Sequence, residues 1–132
     1  MNRTHNQISD DDLIFHMCRV DEWQQAAVGG YYAGSSQDVA DGFIHFSTAK
    51  QVRESAAKHR AGQTGLLLLS VDPELLPEGV LKWEASRGGQ LFPHLYGALP
   101  VDCAVRVDPL LLDGNGLHVF PSDLGIGLES DA

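Results

Sequence analysis

Apolar and polar positions alternate in "DLIFHMCR", with Ile14, His16 and Cys18 on one face of an extended chain and Phe15 and Met17 on the other. The pattern predicts a first strand. Asp21 then caps a short helix, "EWQQAAVGG", whose alanines favour helix and whose glycine pair stops it. "YYAGSSQDVAD" carries little regular signal and reads as a loop or short extended piece. "GFIHFS" predicts a second strand, with Phe43, His45 and Ser47 on one face and Ile44 and Phe46 on the other. Ser47 or Thr48 caps the helix "AKQVRESAAKHRAG", which ends at Gly62. "GLLLLSVD" is almost continuously apolar and reads as a central strand covered on both faces. Pro73 opens one helical turn, closed by Pro77 and Gly79. In "VLKWEAS", Leu81 and Trp83 point one way and Lys82 and Glu84 the other. "LFPHLYG" reads as a short edge strand or loop, and "CAVRVDPLLL" closes the sheet.

Strands outnumber helices, and the helices cluster in the N-terminal half. The expected class is α+β with a mixed or mainly antiparallel sheet. Residues 1–11 read as a disordered tail, 12–112 as a single domain, and 113–132, with "DGNG" and "SDLGIG", as a Gly-rich C-terminal tail.

Against that apolar background, a few polar residues require a reason. His45 lies between Ile44 and Phe46 with Ser47 on its own face, and His16 poses the same question on the first strand. Each reads either as a core histidine satisfied by backbone or as part of a shared cleft. His45 also precedes a helix N-terminus, where exposed N–H groups favour anionic or carbonyl partners. Glu84 reads as a solvated surface acid, or as a half-buried one with a raised pKa that serves as acid, base or ribose-hydroxyl acceptor. Pro93 and Gly97 stiffen and turn the backbone around His94 and Tyr96, as a ligand-facing loop or a purely stabilising one requires. Ser36 joins the candidate ligand-binding set, although nothing around it activates a nucleophile.

The remaining chemistry is mostly exclusion. At 132 residues and 43% apolar, the chain fits one globule without metal or disulfide staples. Its net charge of −9 disfavours long phosphate backbones, which need a basic footprint, so no nucleic-acid partner is expected. No apolar run reaches a membrane span, and "MNRTHNQISDDD" lacks the apolar core of a secretory signal. Cys18 and Cys103 have no CxxC spacing; a reduced cytoplasmic setting is expected, with a disulfide as the other possibility. No nucleophile elbow, Walker loop, dinucleotide fingerprint or HExxH occurs. The histidines and Glu84 lack metal-ligand spacing, so no metal is expected. The pattern does not reveal an oligomeric state.

With "IFHMCRVDEW", "GYYAGSSQD", "GFIHFSTAKQ", "LKWEAS" and "FPHLYGALP" in that order, the chain resembles the bacterial domain-of-unknown-function family nine hundred and fifty-two, from about Leu13 to Val107. The resemblance implies an ADP-ribosyltransferase-like fold and no established activity. Pressed to the RNA 2'-phosphotransferases of that fold, it implies a nicotinamide-ribose contact at His16. It also implies a cleft lined by His45 and Ser47, a polar effector at Glu84, and NAD as a ligand. Those enzymes usually carry His-Gly-Thr on the first strand, where this chain has His16-Met17-Cys18. Their phosphate-binding arginines find only nominal counterparts in Arg19 and Arg87.

Three functions fit this reading. One is an enzyme acting at an anomeric carbon of a nucleotide or NAD-like ligand. Its catalytic residues would be Glu84, His16 and His45, and its ligand-binding residues His16, Ser36, His45, Ser47, His94 and Tyr96. The second is a non-catalytic module for a small metabolite or peptide end. The third is a structural or interaction protein.

Overall fold

A computed structural model describes residues 13–124. Its elements are β1 (Ile14–Arg19), α1 (Val20–Gly29), β2 (Tyr31–Tyr32), α2 (Ser36–Asp41), β3 (Ile44–His45), α3 (Ala49–His59) and β4 (Leu66–Val71). There follow β5 (Leu81–Ala85), β6 (Leu91–Leu95), β7 (Leu99–Pro100), β8 (Ala104–Leu112) and β9 (His118–Val119). Single 3-10 turns lie at Pro73–Leu75, Arg87–Gly89 and Val101–Cys103. The tail read over residues 1–11 lies outside the described residues.

The class is α+β, as the pattern predicts, and the three α-helices of the described residues all precede residue 60. Every strand pairing is antiparallel, in sheets ordered β1-β4-β8-β9, β3-β6-β5 and β2-β7. β4 is covered on both faces. Leu69 and Val71 join Ile14, Cys18, Ile44, Phe46 and Leu95 in one core, while Leu66 and Leu68 join Phe15, Val52 and Leu110 in another. Each fully buried leucine contributes about 1.5–3 kcal/mol, which fixes the register of β4 against its neighbours. α3 buries Ala49, Val52 and Ala56, an i, i+3, i+7 stripe, and Ala49 and Val52 join the second core.

The short β3 joins the two main sheets. Its residues pair with β6, Ile44 with Leu95 and His45 with His94. The chain then leaves β6, and Ser47 exchanges two 2.8 Å backbone hydrogen bonds with Phe15 of β1. Pro93 sits where the ladder stops. Its carbonyl accepts the Phe46 N–H at 3.0 Å, but proline returns no donor.

Several segments differ from their expectation. "YYAGSSQDVAD" holds β2 and α2, because Ser35 and Asp38 form a reciprocal capping box that starts a helix and Gly42, at φ +88°, ends it. β6 is the central strand of its sheet, not an edge, since the missing N–H of Pro93 falls where β3 has ended. α3 stops at His59, three residues before Gly62. Trp83 is 48% exposed, although Leu81 on the same face of β5 packs against the first core. The start of the segment read as a Gly-rich tail pairs as β9 with β8, through a turn in which Asp113 accepts the N–H groups of Asn115 and Leu117. Cys18 and Cys103 are buried free thiols. Among the described residues no helix is long and apolar enough to cross a membrane.

Candidate functional site

Strand alternation turns His16 into the first core, where Tyr32 and Phe46 flank its ring at centroid distances of 5.3 and 5.4 Å. Both nitrogens are engaged. Nδ1–H donates to the His45 carbonyl at 2.6 Å, and Nε2 accepts the Tyr32 hydroxyl at 2.8 Å. One donor and one acceptor define the neutral tautomer. Burial holds the ring below the usual imidazole range, against the opposing pull of Asp38 and of the His45 carbonyl.

Asp38 organises the next layer. Its carboxylate is 3% exposed and accepts the Ser35 N–H at 2.7 Å, the Ser35 hydroxyl at 3.0 Å and the His45 N–H at 3.1 Å. The Nδ1 of His45 lies 2.5 Å from it. Burial raises the Asp38 pKa, yet the His45 bond, the nearby His16 and the two backbone donors outweigh it and bring it down to about 2. Gly34 makes room for this arrangement. It sits at φ +99°, and a Cβ there would meet Asp38 Cβ at 2.7 Å and Oδ2 at 3.0 Å.

With Asp38 on Nδ1, the ring of His45 presents Nε2 outward, 3.1 Å from Asp41 Oδ2. His45 and Asp41 are 41% and 37% exposed, so a surface carboxylate covers the outward nitrogen. Across the β3–β6 pair, His94 is buried. It stacks on Phe43 at 4.1 Å and meets the His45 ring edge-on at 5.6 Å. Its Nδ1 lies 2.7 Å from Glu84 Oε1, which also accepts the Tyr96 hydroxyl at 2.7 Å. His45 and His94 thus each have a carboxylate at Nδ1, an arrangement that orients a ring for proton exchange at its other nitrogen.

A cleft of about 560 Å³ opens over these groups, and His16, Ser36, His45, Ser47 and His94 line it. Ser47 is buried, with its hydroxyl on that of Ser55 at 3.2 Å. Glu84 and Tyr96 are near the cleft but not in its lining; they stand behind His94 and act on it. Nor is the Glu84 pKa raised as a buried acid's would be. Its hydrogen bonds from His94 and then Tyr96 hold it below the usual carboxylate range.

Sequence reasoning missed Asp38, Asp41, Glu22 and Arg60, all of which line the cleft with Arg19. The S-x-x-D spacing of Ser35 and Asp38 was the available signal for the first. Glu22 and Arg60 carried none, since they come from a helix's first turn and a helix end, where charged residues are ordinary. Burial pushes the Cys18 thiol up to about 11, so it is no ready nucleophile. Among the described residues, no three of His, Cys, Asp and Glu gather as metal ligands.

The profile of a family described as "Protein of unknown function (DUF952)" matches residues 17–107. The crystal structure of protein CC0527 from Caulobacter crescentus is 48% identical, with a TM-score of 0.77 over 81% of this chain and 93% of that one. The solution NMR structure of the same protein gives 48% identity and a TM-score of 0.72 over 80% and 90%. None of the curated proteins matches the chain. The family match spans more than two thirds of the chain, and the chain belongs to the DUF952 family of proteins of unknown function.

Proposed function

We propose that this protein binds a small nucleotide-like ligand in the histidine-lined cleft and that its fold is ADP-ribosyltransferase-like, acting on ADP-ribosyl or related compounds in a reduced cytoplasmic setting. The observation that carries the reading is convergence. Histidines from β1, β3 and β6, far apart in the chain, line one cleft together with Arg19 and Arg60. Its volume is that of a small-molecule site, with charged and polar groups converging on it. His45, positioned by Asp38, is the acid–base group. His16 holds the His45 carbonyl and so the end of β3, while Ser36, Ser47 and His94 shape the walls. Met17 lines the cleft where the resembling enzymes have glycine, which favours ADP-ribose or a simpler nucleotide over NAD as the ligand.

Thermal unfolding with ADP-ribose tests the reading. A ligand present at 100 times its Kd adds about 2.7 kcal/mol to the native state, a rise of several degrees in Tm, and His45→Ala reduces it. No shift with millimolar ADP-ribose, NAD or AMP rejects it.

Two observations favour a non-catalytic receptor as the second reading. The Glu84 carboxylate lies outside the cleft lining, and neither nitrogen of His16 is free to meet a ligand. A receptor gives the same thermal shift with no turnover of the bound compound by chromatography.

A further inference from the structure

The side chain of Glu22 makes no hydrogen bond among the described residues. It stands in the first turn of α1, which begins at Val20 with Arg19 at the N-cap and not, as expected, Asp21. Asp21 Oδ1 accepts only the adjacent Glu22 N–H, at 2.9 Å. Its Oε1 is buried and has no hydrogen-bond partner among the described residues. Buried carboxylate oxygens are normally satisfied, because an unmet acceptor forfeits its hydration with nothing in return. The same side chain lines the cleft.

The cationic groups of the cleft are similarly uncommitted. Arg60 donates from Nη1 to the neutral Gln63 Oε1 at 3.1 Å. Among the described residues neither Arg19 nor Arg60 is joined to a carboxylate, although both line the cleft that Glu22 lines. A ligand that satisfies all three brings a hydrogen-bond donor for the carboxylate and an anion for the guanidinium groups. A phosphorylated sugar has both.

We propose that Glu22 is a ligand-reading residue, accepting a hydroxyl of a phosphorylated sugar whose phosphate is held by Arg19 and Arg60. This rests on the cleft being a ligand site, and it names the part of the ligand that is read. The carboxylate must turn about its last bond to bring an oxygen to that hydroxyl, and an analogue lacking the hydroxyl leaves it unmet.

Isothermal titration of the full chain with ribose 5-phosphate, ribose and inorganic phosphate tests it, for the wild type, Glu22→Met and Arg60→Met. The wild type binds ribose 5-phosphate more tightly than either fragment. Glu22→Met weakens ribose 5-phosphate about 10-fold or more and leaves inorganic phosphate unchanged. Arg60→Met weakens both phosphates. Methionine also removes the unmet acceptor, so the ligand-free Glu22→Met protein melts at or above the wild-type temperature. If the wild type binds ribose 5-phosphate and Glu22→Met binds it equally well, Glu22 reads nothing and only this inference falls. If Glu22→Met melts well below the wild type, the side chain is structural and the inference also falls. If the wild type binds none of the probes or ADP-ribose, the ligand-site reading falls with it.

Discussion

The ring Nδ1 and the backbone N–H of His45 converge on one oxygen of Asp38, at 2.5 and 3.1 Å. A single carboxylate therefore fixes both the end of β3 and the orientation of the imidazole that faces the cleft. The other Asp38 oxygen accepts both donors of Ser35. This couples the capping of α2 to the geometry of the site.

That coupling has a pH signature. Asp38 titrates at about 2 in the native state, against about 3.9 for an unperturbed aspartate, a difference worth about 2–3 kcal/mol at neutral pH. Because the native pKa is the lower one, the contribution is complete above pH ~4 and is lost as pH falls towards 2. Denaturant titrations of wild type and Asp38→Asn give a stability gap that is wide at pH 7 and narrows at pH 3. A gap of constant width contradicts the arrangement.

His16 gives a second dependence. Burial lowers its native pKa, so the unfolded chain takes up a proton that the native state refuses. The stability it contributes is present above the unfolded value of about 6.5 and declines as the solution is acidified below it. Nitrogen-detected NMR at pH 6 is expected to show a neutral ring protonated on Nδ1. An imidazolium signal there contradicts the tautomer set by His45 and Tyr32.

Gly34 tests the mechanical side. An alanine there must hold φ near +99° and push its Cβ into Asp38. Gly34→Ala is expected to lower stability by about 1–3 kcal/mol and to move the His45 and Ser35 amide resonances. A variant as stable as wild type, with those resonances unmoved, contradicts the close approach.

The Glu84 group predicts a contrast between neighbours. Tyr96 is exposed, so Tyr96→Phe changes the melting temperature by no more than about 2 °C. His94 is buried against Phe43, and His94→Ala opens a void whose effect is about 2–3 kcal/mol. Equal effects from the two substitutions contradict a Glu84 that supports His94 from the solvent side.

The legible parts of the fold were those with local pattern. Alternation along Ile14–Cys18 placed His16 inward, and the run Leu66–Val71 reads as a doubly covered strand because both its faces meet apolar neighbours. His45 and His94 stood out as polar residues within apolar strands. Asp38 did not, because "SSQDVAD" is short and polar and its helix exists through a capping box and tertiary contacts rather than propensity. The central position of β6 was hidden for another reason. Proline marks an edge unless its neighbour happens to end at that residue, and pairing between β3 and β6, some fifty residues apart, leaves no local trace. Glu84 was legible as unusual, but not that it lies behind His94 rather than in the cleft.

The claim that the histidine cleft is a ligand site is tested most directly by amide and imidazole NMR of the labelled protein titrated with ADP-ribose. Saturable shifts are expected at His16, His45, His94, Ser36 and Ser47 and at Arg19, Glu22 and Arg60, with Val105 and Leu111 of β8 unmoved. An unchanged spectrum at millimolar ADP-ribose, or shifts centred on β8, contradicts it.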